Sequence, residues 1–131
     1  MRGHSTFELL GLCLMLGCST PTAADLEGQW GGAHVNLVLA DSGGTVEFDC
    51  GRGTIDPGWS LTPAGRFAAT GAFYQEGGPE PIAGRPPQSA RYEGTLVNSR
   101  LTMTIFLTDA GTQIGPFVLE RDRTVQLIKC L

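Results

Sequence analysis

From Ala33 onward, apolar and polar residues alternate with a period of two, which is typical of a strand with one buried and one wet face. The stretch Leu26–Leu39 opens this part of the chain, and we interpret it as the first strand. The clearest strand is Arg100–Thr108. Its predicted inward side chains are Leu101, Met103, Ile105 and Leu107. No 3.6-residue period runs for three turns, so almost no helix is expected after the N-terminal segment.

Glycine, proline, aspartate and asparagine divide the rest of the chain into short segments. Further strands are predicted at Thr45–Cys50, Thr54–Leu61 (broken at 56–58), Arg66–Tyr74, Arg91–Val97, Gln113–Glu120 and Thr124–Lys129. Gly51–Gly53 is predicted to be a bend or bulge. The proline-rich loop, Glu76–Gln88, holds four prolines and cannot form a paired strand. Loops of this length are uncommon unless they are functional or mobile.

These segments predict an all-β architecture. Seven or eight short strands joined by tight turns favour an antiparallel up-and-down barrel over a Greek key. Closing the barrel leaves no bare strand edge, which would otherwise invite aggregation.

Four cysteines fall into two pairs. Cys13 and Cys18 lie in the N-terminal apolar segment, whereas Cys50 and Cys130 lie in the predicted barrel, where an exported protein would join them in a disulfide. In a closed meander the last strand lies beside the first, which would bring both to one barrel end, near Trp30. Two strand spacings, about 9–10 Å, would separate them, so a bulge at Gly51 or fraying after residue 129 would have to bring them together.

Composition excludes several functions. A chain of 131 residues allows one domain and hardly two. The net charge is −4 without a basic stripe, which argues against nucleic-acid binding. After residue 4 the only histidine is His34, near Glu47 and Asp49, which is thin support for a metal site. Without a nucleophile elbow or a phosphate loop, we expect no enzyme activity, no metal and no cofactor.

The N-terminus predicts export. The apolar run Phe7–Leu16 is half the length needed to span a bilayer but fits a signal peptide. It continues into Leu14-Met15-Leu16-Gly17-Cys18, which resembles the bacterial lipobox. The resemblance implies a signal peptide over residues 1–17, lipid on Cys18, a flexible tether over residues 18–25 and a barrel domain over residues 26–131. Ser19 after the cysteine implies the outer membrane in a two-membrane cell. The alternative is an ordinary signal cut after Ala24, which would leave a soluble periplasmic or secreted protein.

Gly28-Gln29-Trp30 resembles the Gly-x-Trp step of lipocalin-like barrels. The resemblance implies that Trp30 plugs the closed end, with Arg121 or Arg123 packed on it, and that the barrel mouth holds an apolar pocket. The alternative, which we favour, is an interior filled by side chains. Those side chains would include Phe48, Phe67, Met103 and Phe117.

Ser89-Ala90-Arg91-Tyr92 resembles the Ser-Gly-Ala-Lys/Arg-Tyr loop of lipid-anchored inhibitors of c-type lysozyme, without its glycine. The resemblance implies that Ser89 and Arg91 meet the catalytic carboxylates of a hydrolase. The alternative, that these residues simply begin a strand, is favoured.

The sequence therefore predicts a lipid-anchored, non-catalytic β-barrel on the exported face of a cell-envelope membrane. It would bind a small apolar ligand or another envelope protein, or inhibit a lysozyme-type hydrolase in the periplasm.

Overall fold

A computed structural model describes residues 20–130, and strands dominate the regular structure in this range. One short helix, α1 (Ala23–Leu26), precedes them, and it includes the last residues of the predicted tether. The strands are β1 (Gly28–Gly32), β2 (Val35–Ala40), β3 (Gly43–Phe48), β4 (Gly51–Ile55), β5 (Ser60–Leu61), β6 (Arg66–Gln75), β7 (Gln88–Val97), β8 (Arg100–Leu107) and β9 (Thr112–Arg121).

Eight of these strands close into a barrel. Each long strand pairs antiparallel with its neighbour in sequence, and β4 pairs with β6 because β5 is only two residues long and pairs with the start of β6. Strand β9 returns to β1, which closes the ring. The predicted seven- or eight-stranded up-and-down barrel is confirmed.

The prediction of one strand over Leu26–Leu39 is wrong. This stretch forms a hairpin in which β1 and β2 pair, with Trp30 opposite Leu37 and Gly32 opposite Val35. The turn is Ala33-His34, and His34 takes a left-handed conformation with φ of 65°. Neither residue is a common turn signal, so the alternation appeared to run on without a break.

The prediction of a strand over Thr124–Lys129 is also wrong. Strand β9 already pairs with β1, with Arg121 opposite Trp30, so no free edge remains for another strand. The chain instead leaves the barrel wall, and residues 123–130, which we call the strap, cross the outer face of β1–β3. The strap passes over Gly31, where a Cβ atom would lie 2.3 Å from the carbonyl oxygen of Arg123.

Gly51–Gly53, predicted to be a bend, lies within β4. The glycines are needed there for close packing rather than for a turn. A Cβ on Gly53 would lie 2.1 Å from the hydroxyl oxygen of Tyr92 inside the barrel.

The two ends of the barrel differ. The helix end carries α1, the β2–β3 turn and the β7–β8 turn at Asn98-Ser99. The disulfide end carries the Ala33-His34 turn, the Asp49-Cys50 turn, the proline-rich loop and Cys130.

The Cys50–Cys130 disulfide is formed, with 5.0 Å between the two Cα atoms. The prediction that it lies at the barrel end where the Trp30 strand starts is wrong. Because Leu26–Leu39 forms two strands rather than one, β3 and Cys50 end at the opposite end of the barrel. The strap, rather than a bulge in the wall, carries Cys130 to Cys50, and the backbone N–H of Cys130 donates to the carbonyl of Asp49 at 2.9 Å.

Inward side chains form one continuous core, and all four predicted inward residues of β8 are in it. The fully buried members include Trp30, Tyr92, Phe67, Leu26, Leu37, Leu101, Met103, Ile105 and Leu119. Within the described residues, the buried side chains are apolar except for the Tyr92 hydroxyl and the Trp30 indole N–H. Each of these two groups donates a hydrogen bond to a backbone carbonyl.

Candidate functional site at the disulfide end

The helix end is closed by Trp30. Its ring is fully buried, and its indole N–H donates to the carbonyl of Leu26 at 2.9 Å. The guanidinium of Arg121 lies 4.5 Å from the centre of the indole ring and donates to the carbonyl of Glu27 at 3.1 Å. Arg123 instead lies 4.0 Å from Glu120 on the surface. Of the two predicted partners of Trp30, the structure brings only Arg121 to the ring.

The barrel interior is filled with side chains. Towards the disulfide end, the ring centre of Phe48 lies 6.1 Å from that of Phe73 and 5.1 Å from that of Phe117. A surface cavity of about 620 Å³ lies outside the wall, where it is lined by outward residues of β7–β9 such as Arg100 and Glu120.

The proline-rich loop is ordered by hydrogen bonds although it has no regular structure. The N–H of Gly84 donates to the carbonyl of Pro81 at 2.8 Å, which closes a turn at the tip. The guanidinium of Arg85 donates to the carbonyls of Pro79 at 3.1 Å and Gln75 at 3.4 Å. This arrangement leaves the side chain of Ile82 fully exposed at the tip.

A groove of about 300 Å³ separates the loop from the barrel wall. On its wall side the guanidinium of Arg52 lies 4.0 Å from the centre of the Tyr74 ring. Arg85 and Cys130 line it from the loop and from the strap. Tyrosine and arginine are enriched at the energetic centres of protein interfaces.

Lys129 ties the strap to this end. Its ammonium group lies 2.7 Å from a carboxylate oxygen of Glu47 and 3.0 Å from one of Glu76. It also donates to the carbonyls of Phe48 at 2.7 Å and Gly51 at 3.4 Å. Partial desolvation lowers the pKa of Lys129, but the hydrogen bonds and charges of the two glutamates outweigh it and raise the pKa overall.

His34, the candidate metal ligand, contacts Asp49 across the turn through Nδ1. Within residues 20–130, no three histidine, cysteine, aspartate or glutamate side chains lie close enough together to hold a metal ion.

Ser89 and Arg91 lie at the start of strand β7 and not in a loop. Both side chains are exposed on the outer face of the wall. Arg91 is held there by Glu93, with 2.7 Å between nitrogen and oxygen, and by Phe106, whose ring centre is 4.7 Å from the guanidinium carbon.

The predicted signal peptide and Cys18 fall outside the described residues. Within the described range, no helix has the length and apolar character needed to cross a membrane.

Sequence reasoning missed Arg52, Tyr74 and Ile82. The sequence predicts a bend at Arg52 and the end of a strand at Tyr74, and neither pattern indicates that the two side chains meet. Ile82 carried a usable signal, since it is the one large apolar residue between Glu76 and Gln88.

No protein-family model, curated protein or solved structure matches this chain.

Proposed function

We propose that the chain is a lipid-anchored, non-catalytic binding module of the cell envelope, and that it binds another envelope protein at the disulfide end of its barrel. The proposal joins the lipobox resemblance around Cys18 to the geometry of the barrel.

The packed interior favours a protein partner over a small apolar ligand. Because side chains fill the barrel, a small apolar ligand would have to displace core residues such as Phe48 and Phe117. Sites for such ligands are normally preformed concave cavities. A protein partner needs only an outer surface.

The disulfide end offers a preorganised surface of that kind. The Arg85 hydrogen bonds hold the loop, so that Ile82 is presented without a large ordering cost on binding. Tyr74 and Arg52 form a stacked pair beside it. Together they supply an aliphatic, an aromatic and a guanidinium contact.

The anchor would orient this surface outward. Pro21 and Ala24 lie beside Asn98 at the helix end. Pro21 follows Cys18 by three positions in the sequence, a reach of about 10 Å. A lipid on Cys18 would therefore keep the helix end at the bilayer and direct the disulfide end away from it.

Site-specific photo-crosslinking in cells tests the binding surface. A photoreactive residue replaces Ile82, and in a matched control it replaces Val97, which is also an exposed aliphatic residue but lies at the helix end. We expect one defined crosslinked species from position 82 that disappears when Tyr74→Ala is added, and none from position 97. Equal crosslinking from both positions, or none from position 82, would overturn the proposal.

The anchor has its own test. Mass spectrometry of the mature protein should show an N-terminal Cys18 carrying acyl chains. An unmodified N-terminus at Asp25 would remove the anchor from the proposal and leave a soluble exported protein.

A narrower candidate is that the partner is a lysozyme-type hydrolase. Ser89 and Arg91 favour it because they project from the same face of β7, about 7 Å apart along the strand. The pairing of Arg91 with Glu93 weighs against it, since the guanidinium is already engaged. Lysozyme turnover measured with a large excess of the purified domain decides: unchanged turnover ends this candidate, and inhibition that Arg91→Ala abolishes supports it.

A further inference from the structure

The strap lies on the barrel as a bound peptide lies on its receptor. It has no regular secondary structure and no strand partner among the described residues, and its main chain is held by side chains of the wall. The N–H of Val125 donates to the side-chain carbonyl of Asn36 at 2.9 Å, and the side-chain amide of Asn36 donates to the carbonyl of Val125 at 2.7 Å. This two-way contact reads the peptide backbone and not the side chain.

The receptor surface is a row of residues across three strands. Gly31, Asn36 and Glu47 are direct neighbours in register on β1, β2 and β3. Glycine at the first position lets the main chain come close, since a Cβ there would collide with the Arg123 carbonyl. Further along, Asp49 accepts from the N–H of Ile128 at 3.1 Å.

The row ends where the ammonium of Lys129 sits between Glu47 and Glu76. The strap is thus held by main-chain contacts in the middle and by a charged side chain at its end. Leu127 and Val125 are half-buried against the wall, whereas Ile128 is exposed.

We propose that the outer face of β1–β3 is a binding site for an extended, lysine-bearing segment of a partner protein, and that the strap occupies it as a built-in ligand while Cys130 is joined to Cys50. A dithiol reductant opens the site. Its two thiols are oxidised to a disulfide, and the two electrons and two protons that they give up convert Cys50 and Cys130 to thiols.

The disulfide determines whether the strap or a partner segment occupies the outer face of β1–β3. While it is closed, the strap is present at a high effective concentration that a free segment cannot match. Once it is open, the strap is tethered only through residue 122 and can leave the wall, so that a partner segment can take over the hydrogen bonds of Asn36 and the lysine contact. This site is separate from the tip of the proline-rich loop, so its failure would leave the crosslinking test at Ile82 unaffected.

The test uses the mature chain with Cys18→Ser to prevent lipidation. In the released variant, Cys50→Ser and Cys130→Ser remove the disulfide, and Val125→Pro removes the donor to Asn36 while leaving the wall untouched. The probe is a fluorescent peptide with the sequence of residues 123–129, and the readout is fluorescence anisotropy.

We expect the released variant to bind the probe and the oxidised parent to bind it at least about 100-fold more weakly. Asn36→Ala in the released variant should weaken binding at least about tenfold, because two hydrogen bonds are lost. A probe in which Gln replaces the lysine should also bind more weakly. Equal binding of a scrambled probe, or no binding to a folded released variant, overturns the proposal.

A second measurement covers a released variant that fails to fold. In the chain carrying only Cys18→Ser, Cys50→Ser and Cys130→Ser, the Val125 amide should exchange with solvent faster than in the oxidised parent. Unchanged protection of this amide would show that the disulfide does not govern the strap, and would overturn the proposal.

Discussion

Arg121 and Arg123 are two residues apart, and they serve different purposes. Arg121 lies against the Trp30 ring and donates to the Glu27 carbonyl, so its guanidinium fixes both the plug and the chain that enters β1. The side chain of Arg123 is half exposed, and its guanidinium lies 4.0 Å from the carboxylate of Glu120. The sequence offered both residues for the same role, and only the strand register separates them.

Arg121→Ala should lower the free energy of unfolding by about 1–2 kcal/mol, since a cation–π contact and a hydrogen bond are lost together. Arg123→Ala should change it by less than about 0.5 kcal/mol, as exposed ion pairs contribute little. Urea denaturation of both variants measures the difference. Equal effects would contradict the assignment of Arg121 to the plug.

Tyr92 is the buried titratable residue of the core. Burial raises the pKa of Tyr92, and the charge of Asp56 raises it further. Its hydroxyl donates to the carbonyl of Ala72 at 2.9 Å, which is possible only in the neutral form.

This shift makes the stability of the barrel depend on pH. The folded state holds the tyrosine proton more tightly than the unfolded state, so the contribution is complete below pH 10, the ordinary pKa of tyrosine, and is lost as the pH rises above it. The raised pKa of Lys129 acts in the same direction. Unfolding in urea at pH 8 and pH 11 should show a smaller decrease for Tyr92→Phe than for the parent; an equal decrease would contradict the role of Tyr92.

The elements were predictable where alternation had a clear start and end. Strand β8 matches its predicted inward residues because Asn98-Ser99 and Asp109-Ala110 bound it with turn residues. The β1–β2 hairpin was missed because Ala33-His34 lacks such a signal. The strap was misread because its half-buried residues alternate as a strand's do, although they pack on the outside of a ring that β9 has already closed.

The strap and its disulfide stabilise the barrel by restricting the unfolded chain. Cys50 and Cys130 are 80 residues apart in sequence. On the chain-entropy view, Cys50→Ser with Cys130→Ser should lower the free energy of unfolding by up to about 4 kcal/mol.

Urea denaturation of the oxidised parent and the double variant measures this loss, with far-UV circular dichroism as the check that the barrel persists. The eight-stranded ring does not include the strap, so native β content should remain in the variant. Loss of that content in the absence of urea would show that the strap is part of the folding unit.

The candidate site at the disulfide end was also only partly predictable from the sequence. The pairing of the two barrel cysteines came from composition alone, whereas the meeting of Arg52, Tyr74 and the proline-rich loop depends on which strands become neighbours across the skipped β5. Register between distant strands is not written in any local stretch of residues.

At the scale of the whole molecule, the barrel interior is filled by core side chains rather than open to a ligand. Leu26 and Trp30 close one end, and the phenylalanines close the other. Protein cores are normally packed closely enough to leave little free volume for a guest molecule.

A fluorescent fatty acid should therefore show no saturable binding to the folded domain in a titration. Phe117→Ala opens space at the disulfide end and provides the comparison, since cavities made by truncation can accept apolar guests. Stoichiometric binding to the parent would contradict the filled interior and would favour a small apolar ligand over a protein partner.

Pro21 and Cys130 lie at opposite ends of the barrel, with Pro21 near the Asn98 turn and Cys130 bonded to Cys50. Attachment chemistry therefore matters in any laboratory measurement. A fusion or surface coupling on the N-terminal side of the domain should leave Ile82 and its surroundings accessible. A fusion after Cys130 would lie next to the disulfide end, where we expect a partner to bind.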